Sequence, residues 1–428
     1  NANPIALNSA GRSATAIFLQ NLPYKVVLKD SSGNEIWTAD PVYTTDIKSV
    51  TITKVGSGAP TGVVAGTAGS SGVLPTLYWD YTGKILYVCS VTGAAAAAEW
   101  TAINAAAATA LVTPPQGYLT PSSTLAVITG DVAAATALYY TPFVGNQVPI
   151  YNGSRFIPTE FSQLTLTLHS SHALDTLYDV FAFSNSGVVT LVTGPAWATS
   201  TAGAGDRGSG AGTTQISRVS GYWVNAVSMT GRNGSTTYSV GANLATYLGS
   251  ILIDGTAGQI TCHTAFGTNR RWAVWNAYNR QPLQLAAGSV GGDWTYATAT
   301  IRASDNTATN RARVLCGLAE EPLYATFTQR LGIAINAANP TSTMRIGIGL
   351  NSTTTMEGRQ GLFRAQNSTL VSTTDDNRAT VSSEATIVPQ LGLTNLVCLE
   401  ITDTPGSANT YYAGGGGDRH QLTARWRG

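Results

Sequence analysis

Leu164-Thr165-Leu166-Thr167-Leu168 sets three leucines on one side of an extended chain and two threonines on the other. Successive side chains of a strand point to opposite faces, so this period of two predicts a half-buried β-strand. Outward from it the pattern repeats in Tyr178 to Phe183, Val188 to Leu191, Thr237 to Val240, Ile251 to Ile253, Arg345 to Leu350 and Leu396 to Ile401. Between these runs stand Asn152-Gly153, Asn233-Gly234 and Asp254-Gly255, dipeptides that accept the positive φ of tight reversals. Short strands with frequent turns predict an all-β fold, a β-sandwich or a jelly roll, from residue 114 onward. No repeat of 20 to 50 residues is visible, which argues against a solenoid.

The composition agrees. Charged residues make up 11% of 428, against about 25% in an ordinary soluble domain. The 24 basic and 23 acidic residues nearly cancel, so no global field draws in nucleic acid or anionic lipid. No apolar run reaches the ~18 residues of a membrane span, and the N-terminus lacks the order of a signal peptide. The expectation is therefore no membrane insertion, no nucleic-acid partner and assembly in a reducing cytoplasm. Cys89, Cys262, Cys316 and Cys398 lie far apart in apolar runs and read as buried thiols, with neither zinc-ligand nor disulfide spacing.

The chain divides by composition. Residues 1–46 read as two hairpins, the second turning at Asp30-Ser31-Ser32-Gly33-Asn34 before Ile36 and Trp37. Residues 47–113 hold a small β module and an Ala-rich linker. Leu77 to Asp80 and Ile85 to Cys89 flank the turn Tyr81-Thr82-Gly83-Lys84, with Trp79 and Trp100 as core candidates. Ala94 to Ala98 is rich in helix-favouring alanine and suits a stalk gripped by sister chains. Ala105 to Thr113 is the linker proper. Residues 114–290 form a sandwich-like domain and 291–428 a second β-rich region, or part of the same domain.

The order Asn3-Pro4, Ile5 and Leu7, Asn8-Ser9-Ala10-Gly11-Arg12, Tyr24-Lys25-Val26-Val27, Asp30 to Asn34 and Trp37 resembles the later half of the anchor found at the N-terminus of many tailed-bacteriophage tail fibres and tailspikes. The module from Gly56 to Trp100 is similar to one recurrent in phage fibre proteins. Leu138 to Gly153, Tyr247 to Ile251 and Trp275 to Arg280 resemble segments of phage appendage proteins. In the family a strand-rich stretch precedes the Asn-Pro, so the anchor is expected to be incomplete at Asn1. The resemblance implies a virion structural protein, a fibre or spike-like appendage used in host adsorption. It implies assembly as a homotrimer, with Pro4, Leu7, Tyr24 and Trp37 as particle-anchoring residues and other virion proteins of the tail, neck or capsid as partners. A head or neck decoration protein is the alternative, and a polysaccharide-degrading tailspike the second.

No catalytic constellation is expected, and no cofactor or metal. Gly203-Ala204-Gly205-Asp206-Arg207-Gly208 matches GxGxxG by letter, but a dinucleotide site needs a strand before it and a helix after it. Residues 198–214 read as a mobile loop instead. His169 and His172, with Asp175 and Asp179 nearby, are too few and too divergent on a strand to hold a metal. Glycoside hydrolysis needs two carboxyl groups roughly 5 to 9.5 Å apart. Nothing in the spacing of Asp254, Asp293, Glu320, Glu321, Asp375 and Asp376 selects a pair, and no GxSxG elbow occurs. The densest aromatic and basic cluster is Trp272, Trp275 and Tyr278 with Arg270, Arg271 and Arg280. The indoles read first as core or subunit-interface anchors. The alternative is a ligand platform of Trp272, Trp275, Tyr278 and Arg280 on which a host-surface sugar would stack. Gly414 to Arg419 reads as a hinge before a last strand ending in Trp426 and Arg427.

Overall fold

The computed structural model describes residues 23–30, 32–43, 54–70, 74–103, 113–203, 205–208, 215–366, 375–404, 408–413 and 420–428. Asn8 to Gly11, the Ala105 to Thr113 linker except Thr113, and the Gly414 to Arg419 hinge lie outside these residues. Strands hold 56% of the described residues, more than twice the usual ~20–25%, and the fold is all-β. Its contacts separate two compact units, Asn1–Thr109 and Ala110–Gly428.

In the first unit the antiparallel pair Pro23–Lys29 and Glu35–Tyr43 is closed by the turn legible in sequence. The Asp30 carboxylate accepts the N–H groups of Ser32 at 2.9 Å and Asn34 at 2.8 Å, while Gly33 takes φ 86°. A four-stranded sheet follows, in the order Lys54–Gly56, Leu77–Asp80, Ile85–Val91, Glu99–Ala102. Asp80 organises its central turn, accepting N–H bonds from Gly58, Thr82 and Gly83, all at 2.9 Å. Those backbone donors, Gly83 foremost, hold its carboxyl below the usual range. Tyr78 is the fully buried aromatic; Trp79 points the other way and is half-buried, as strand alternation requires. The stretch Ala94 to Ala98 departs from helix. It is a single turn in which the N–H groups of Ala97 and Ala98 both bond Ala94 O at 2.8 Å, because the strands on either side fix its ends and leave no length for helix to propagate.

The second unit is layered. One eight-stranded sheet runs in the order Ile216–Val219, Tyr222–Asn225, Ala245–Leu252, Leu177–Asn185, Val188–Ala196, Met229–Asn233, Thr236–Val240, with Val274–Asn276 also paired to Ala245–Leu252. A fourteen-stranded sheet begins at Pro282–Ala287 and passes through Gln421–Arg427, Leu323–Ile335, Asp375–Ile387, Glu357–Gln366, Thr341–Leu350, Gly392–Thr404, Arg311–Cys316 and Arg270–Trp272. Its halves are joined through one register pair, Arg359 to Glu384, and double back so that both feed one core. Leu323, Phe327, Leu331 and Ile333 from one half meet Met344, Ile346 and Ile348 from the other in a single buried cluster. Alternate residues of Leu323–Ile335 are buried, the period of two seen in sequence. Residues 114–290 and 291–428 share this sheet and this core, since Pro282–Ala287 pairs with Gln421–Arg427 and Arg270–Trp272 runs parallel to Arg311–Cys316. The four cysteines are free and buried.

Ala245–Leu252 is buried on both faces because sheets cover each side. At Gly249 an added Cβ would fall on the Trp275 carbonyl oxygen and 2.9 Å from Leu119 Cδ1. Gly249→Ala is expected to destabilise the protein by about 1–3 kcal/mol through overpacking, read as a lowered urea midpoint at unchanged slope.

Candidate functional site

The structure buries Trp272 and Trp275 in the core, with Tyr278 and Arg280 half-buried beside them. Trp272 is 5% and Trp275 1% exposed. Trp272 meets Trp426 edge to face, with centroids 6.2 Å apart. Trp275 lies beneath the Arg280 guanidinium, 4.8 Å from its carbon. The Tyr278 hydroxyl accepts the Trp223 N–H at 3.2 Å, and Arg280 is held by Glu320 and, at 3.2 Å, by Glu321. A ligand platform on the two indoles is thereby corrected. Trp272 and Trp275 both belong to the buried core between the layers, so neither ring is open to a sugar. Of the anchor residues, Tyr24 and Trp37 lie on the Pro23–Lys29 and Glu35–Tyr43 pair in register with Val42 and Leu28; Pro4 and Leu7 fall outside the described residues.

The loop with GxGxxG lettering is not free either. Arg207 enters the interior, where its Nε donates to Asp179 Oδ2 at 2.7 Å and its Nη2 to Oδ1 at 3.3 Å and to the Tyr247 hydroxyl at 3.0 Å. Nη2 also bonds Gly317 O. Ser250 Oγ donates to Asp179 Oδ1 at 2.6 Å, and the guanidinium stacks 4.3 Å from the centre of Trp197. The expected mobility of 198–214 is corrected at Arg207, because a buried guanidinium in a bidentate pair fixes the backbone that carries it. Residues 209–214 lie outside the described residues.

A second buried network has the letters of a hydrolase triad. His420 Nε2 is 2.8 Å from Ser304 Oγ, and Ser304 Oγ is 3.4 Å from Glu400 Oε2. The proton positions run the wrong way for nucleophilic catalysis. The Ser289 N–H can only donate, and it does so to His420 Nδ1 at 2.8 Å; the ring proton must then sit on Nε2 and point at Ser304. A histidine donating to the serine cannot take its proton. All three side chains are buried, and burial drives the His420 pKa down to about 3. Glu400 is occupied by Arg302 Nε and Trp294 Nε1, both at 2.7 Å. The network is structural cement between strands.

The other singled-out residues have local duties. His172 is buried, its Nε2 2.9 Å from Thr193 Oγ1 and its Nδ1 receiving the His169 N–H at 3.0 Å; burial lowers its pKa. Asp254 accepts from Thr256 N–H and Thr261 Oγ1, both at 2.8 Å, and Asp293 from Ala413 N–H at 2.9 Å. Asp375 and Asp376 stand in register with Ile335 and Ala334. Among the described residues, no three His, Cys, Asp or Glu side chains converge on a metal position.

One concave feature of this unit is a groove of about 490 Å³ at the sheet edge formed by Pro282–Ala287, Gln421–Arg427 and the start of Leu323–Ile335. Tyr324 stands in it 53% exposed, opposite Arg425 in register. Arg425 Nε donates to Gln284 Oε1 at 3.1 Å, and Arg427 lies 3.7 Å from Glu321. An open aromatic face ringed by planar amide, guanidinium and carboxylate groups suits a ligand with an apolar ring face and peripheral hydroxyls. Sequence reading missed Tyr324, whose only signal is a tyrosine on the outward phase of an alternating strand. No protein-family model and no curated protein sequence matches this chain.

Proposed function

We propose that this chain is a structural subunit of a tailed-phage virion, a fibre or spike-like appendage anchored through its N-terminal segment and used in host adsorption, with the Tyr324 groove contacting a host-surface glycan. The observation that carries the proposal is the ordered series from Asn3-Pro4 to Trp37. The all-β fold and near-zero net charge are compatible with it, and the groove volume fits one or two sugar rings. On this reading the chain assembles as a homotrimer with other virion proteins at its N-terminal end.

The purified full chain is expected to adhere to host cells and to an isolated surface glycan, and Tyr324→Ala to weaken that adherence at least about tenfold, or ~1.4 kcal/mol. Glycan titration by surface plasmon resonance checks it. Wild-type chain that binds neither cells nor glycan would remove the adsorption role, while equal binding by Tyr324→Ala would remove the groove from it.

A further inference from the structure

Outside the groove, three arginines converge on one face of the large sheet. Arg271 is the register partner of Arg313 across the parallel pair, and Arg311 precedes Arg313 by two residues on the same side of its strand. His263 borders them, giving its N–H to Arg271 O at 2.9 Å and receiving the Arg271 N–H on Nδ1 at 3.0 Å. The charge around them is lopsided. Arg313 has Asp175, 3.7 Å away, and Arg311 has the Asn269 amide oxygen at 3.0 Å. Among the described residues the Arg271 side chain has no hydrogen bond or ion pair, and the buried Nε atoms of Arg271 and Arg313 have no acceptor. Neighbouring Arg270 is answered by Asp131 at 3.0 Å, and burial, with Arg270 beside it, lowers the His263 pKa and favours the neutral ring. Among the described residues, three guanidiniums against one carboxylate leave two positive charges unanswered.

Such an arrangement is costly by itself. Like charges repel, and burial withdraws the water that would screen them. Burial, with Arg311 and Arg271 close by, pulls even the Arg313 guanidinium down to about 10. The Arg313 side chain is only 11% exposed, but Asp175 beside it is 51% exposed and Arg271 and Arg311 are half-buried, so solvent reaches the cluster. Guanidinium forks match tetrahedral oxyanions bidentately.

We propose that Arg271, Arg311 and Arg313 form a binding site for a phosphate group, whose dianion matches the two charges left over. The phosphate can be free or carried on a saccharide, and the test separates these sources. The site stands apart from the glycan groove and does not depend on it.

The full chain is titrated calorimetrically with inorganic phosphate, with hexose 6-phosphate and with acetate at constant ionic strength in chloride. Saturable phosphate binding is expected, with a rise in thermal midpoint that grows with ligand concentration. Arg271→Gln is expected to weaken it at least tenfold while leaving the urea midpoint in chloride unchanged or raised, because an unpaired charge has gone; Arg313→Gln serves as the second variant. Tighter binding of the sugar phosphate supports a saccharide-borne group, and equal binding supports free phosphate. Absence of saturable binding, acetate binding as tightly as phosphate, or undiminished binding by both variants overturns the assignment.

Discussion

Asp179→Ala is expected to lower the free energy of unfolding by about 3–5 kcal/mol, because it strands the Arg207 guanidinium inside the protein without its counter-charge. Asp179 is fully buried, and its two oxygens collect Arg207 Nε, Arg207 Nη2 and Ser250 Oγ. Arg207→Ala should cost a similar amount for the mirror reason, leaving a buried carboxylate without its counter-charge. The double variant should cost clearly less than the sum of the two, since each single change already forfeits the pair. Urea unfolding of the four proteins measures this coupling. Strict additivity would mean that the pair does not hold the loop to the sheet. The same loss should open the backbone around Arg207 to proteolysis, because that side chain ties the 198–208 segment to the strands Leu177–Asn185 and Ala245–Leu252.

The second large effect is a pH dependence set by His420. The unfolded chain titrates this residue near pH 6.5, whereas the folded chain holds it neutral down to about 3, burial being the cause. A folded-state pKa below the unfolded one means that acidification protonates the unfolded chain first. Stability from this group is therefore complete above about pH 6.5 and is lost progressively as pH falls toward 3. At pH 4.5 roughly two of these pH units have been crossed, and at ~1.36 kcal/mol each the loss is about 2–3 kcal/mol. His420→Gln should flatten the stability profile between pH 7.5 and pH 4.5 by about that amount, whatever it costs at neutral pH. Urea midpoints of both proteins at the two pH values decide it, and parallel profiles would show that the imidazole is not held neutral by the fold. Other groups that titrate in this range are common to both proteins and drop out of the comparison.

Why the important side chains were hidden is visible in particular residues. Arg207 sits in a Gly, Ser, Thr and Ala run that reads as loop, and nothing local marks its arginine as internal. Its partners are 28, 40 and 110 positions away. His420, Ser304 and Glu400 are separated by 116 and 96 positions, and only the pairing of distant strands makes them neighbours. Trp272 and Trp275 posed a different difficulty. Their density with arginines was legible, and burial was the favoured reading, but the choice between core and ligand platform depended on whether a second layer covers the strand. Arg271 and Arg313 are 42 positions apart and meet across a parallel pairing, the kind of crossover that local pattern does not specify.

The sequence by itself determined what acts over a few residues. Leucine and threonine alternation gives strands, with Leu166 buried between exposed Thr165 and Thr167. Aspartate, asparagine and glycine give the turns at Asp30 to Asn34 and at Asp80 to Lys84, and apolar context buries the thiols. These outcomes depend on backbone sterics, side-chain reach and hydrophobicity, which are local properties. Only the tertiary structure decided which layer covers which face. It ties the Tyr118 hydroxyl to Gly428 O at 2.9 Å across 310 positions, leaves Tyr324 open while closing Trp275, and pairs Asp179 while leaving Arg271 unanswered among the described residues. Alternation states that a face must be covered but not by what, and the partner is selected by the joint packing of strands far apart in the chain.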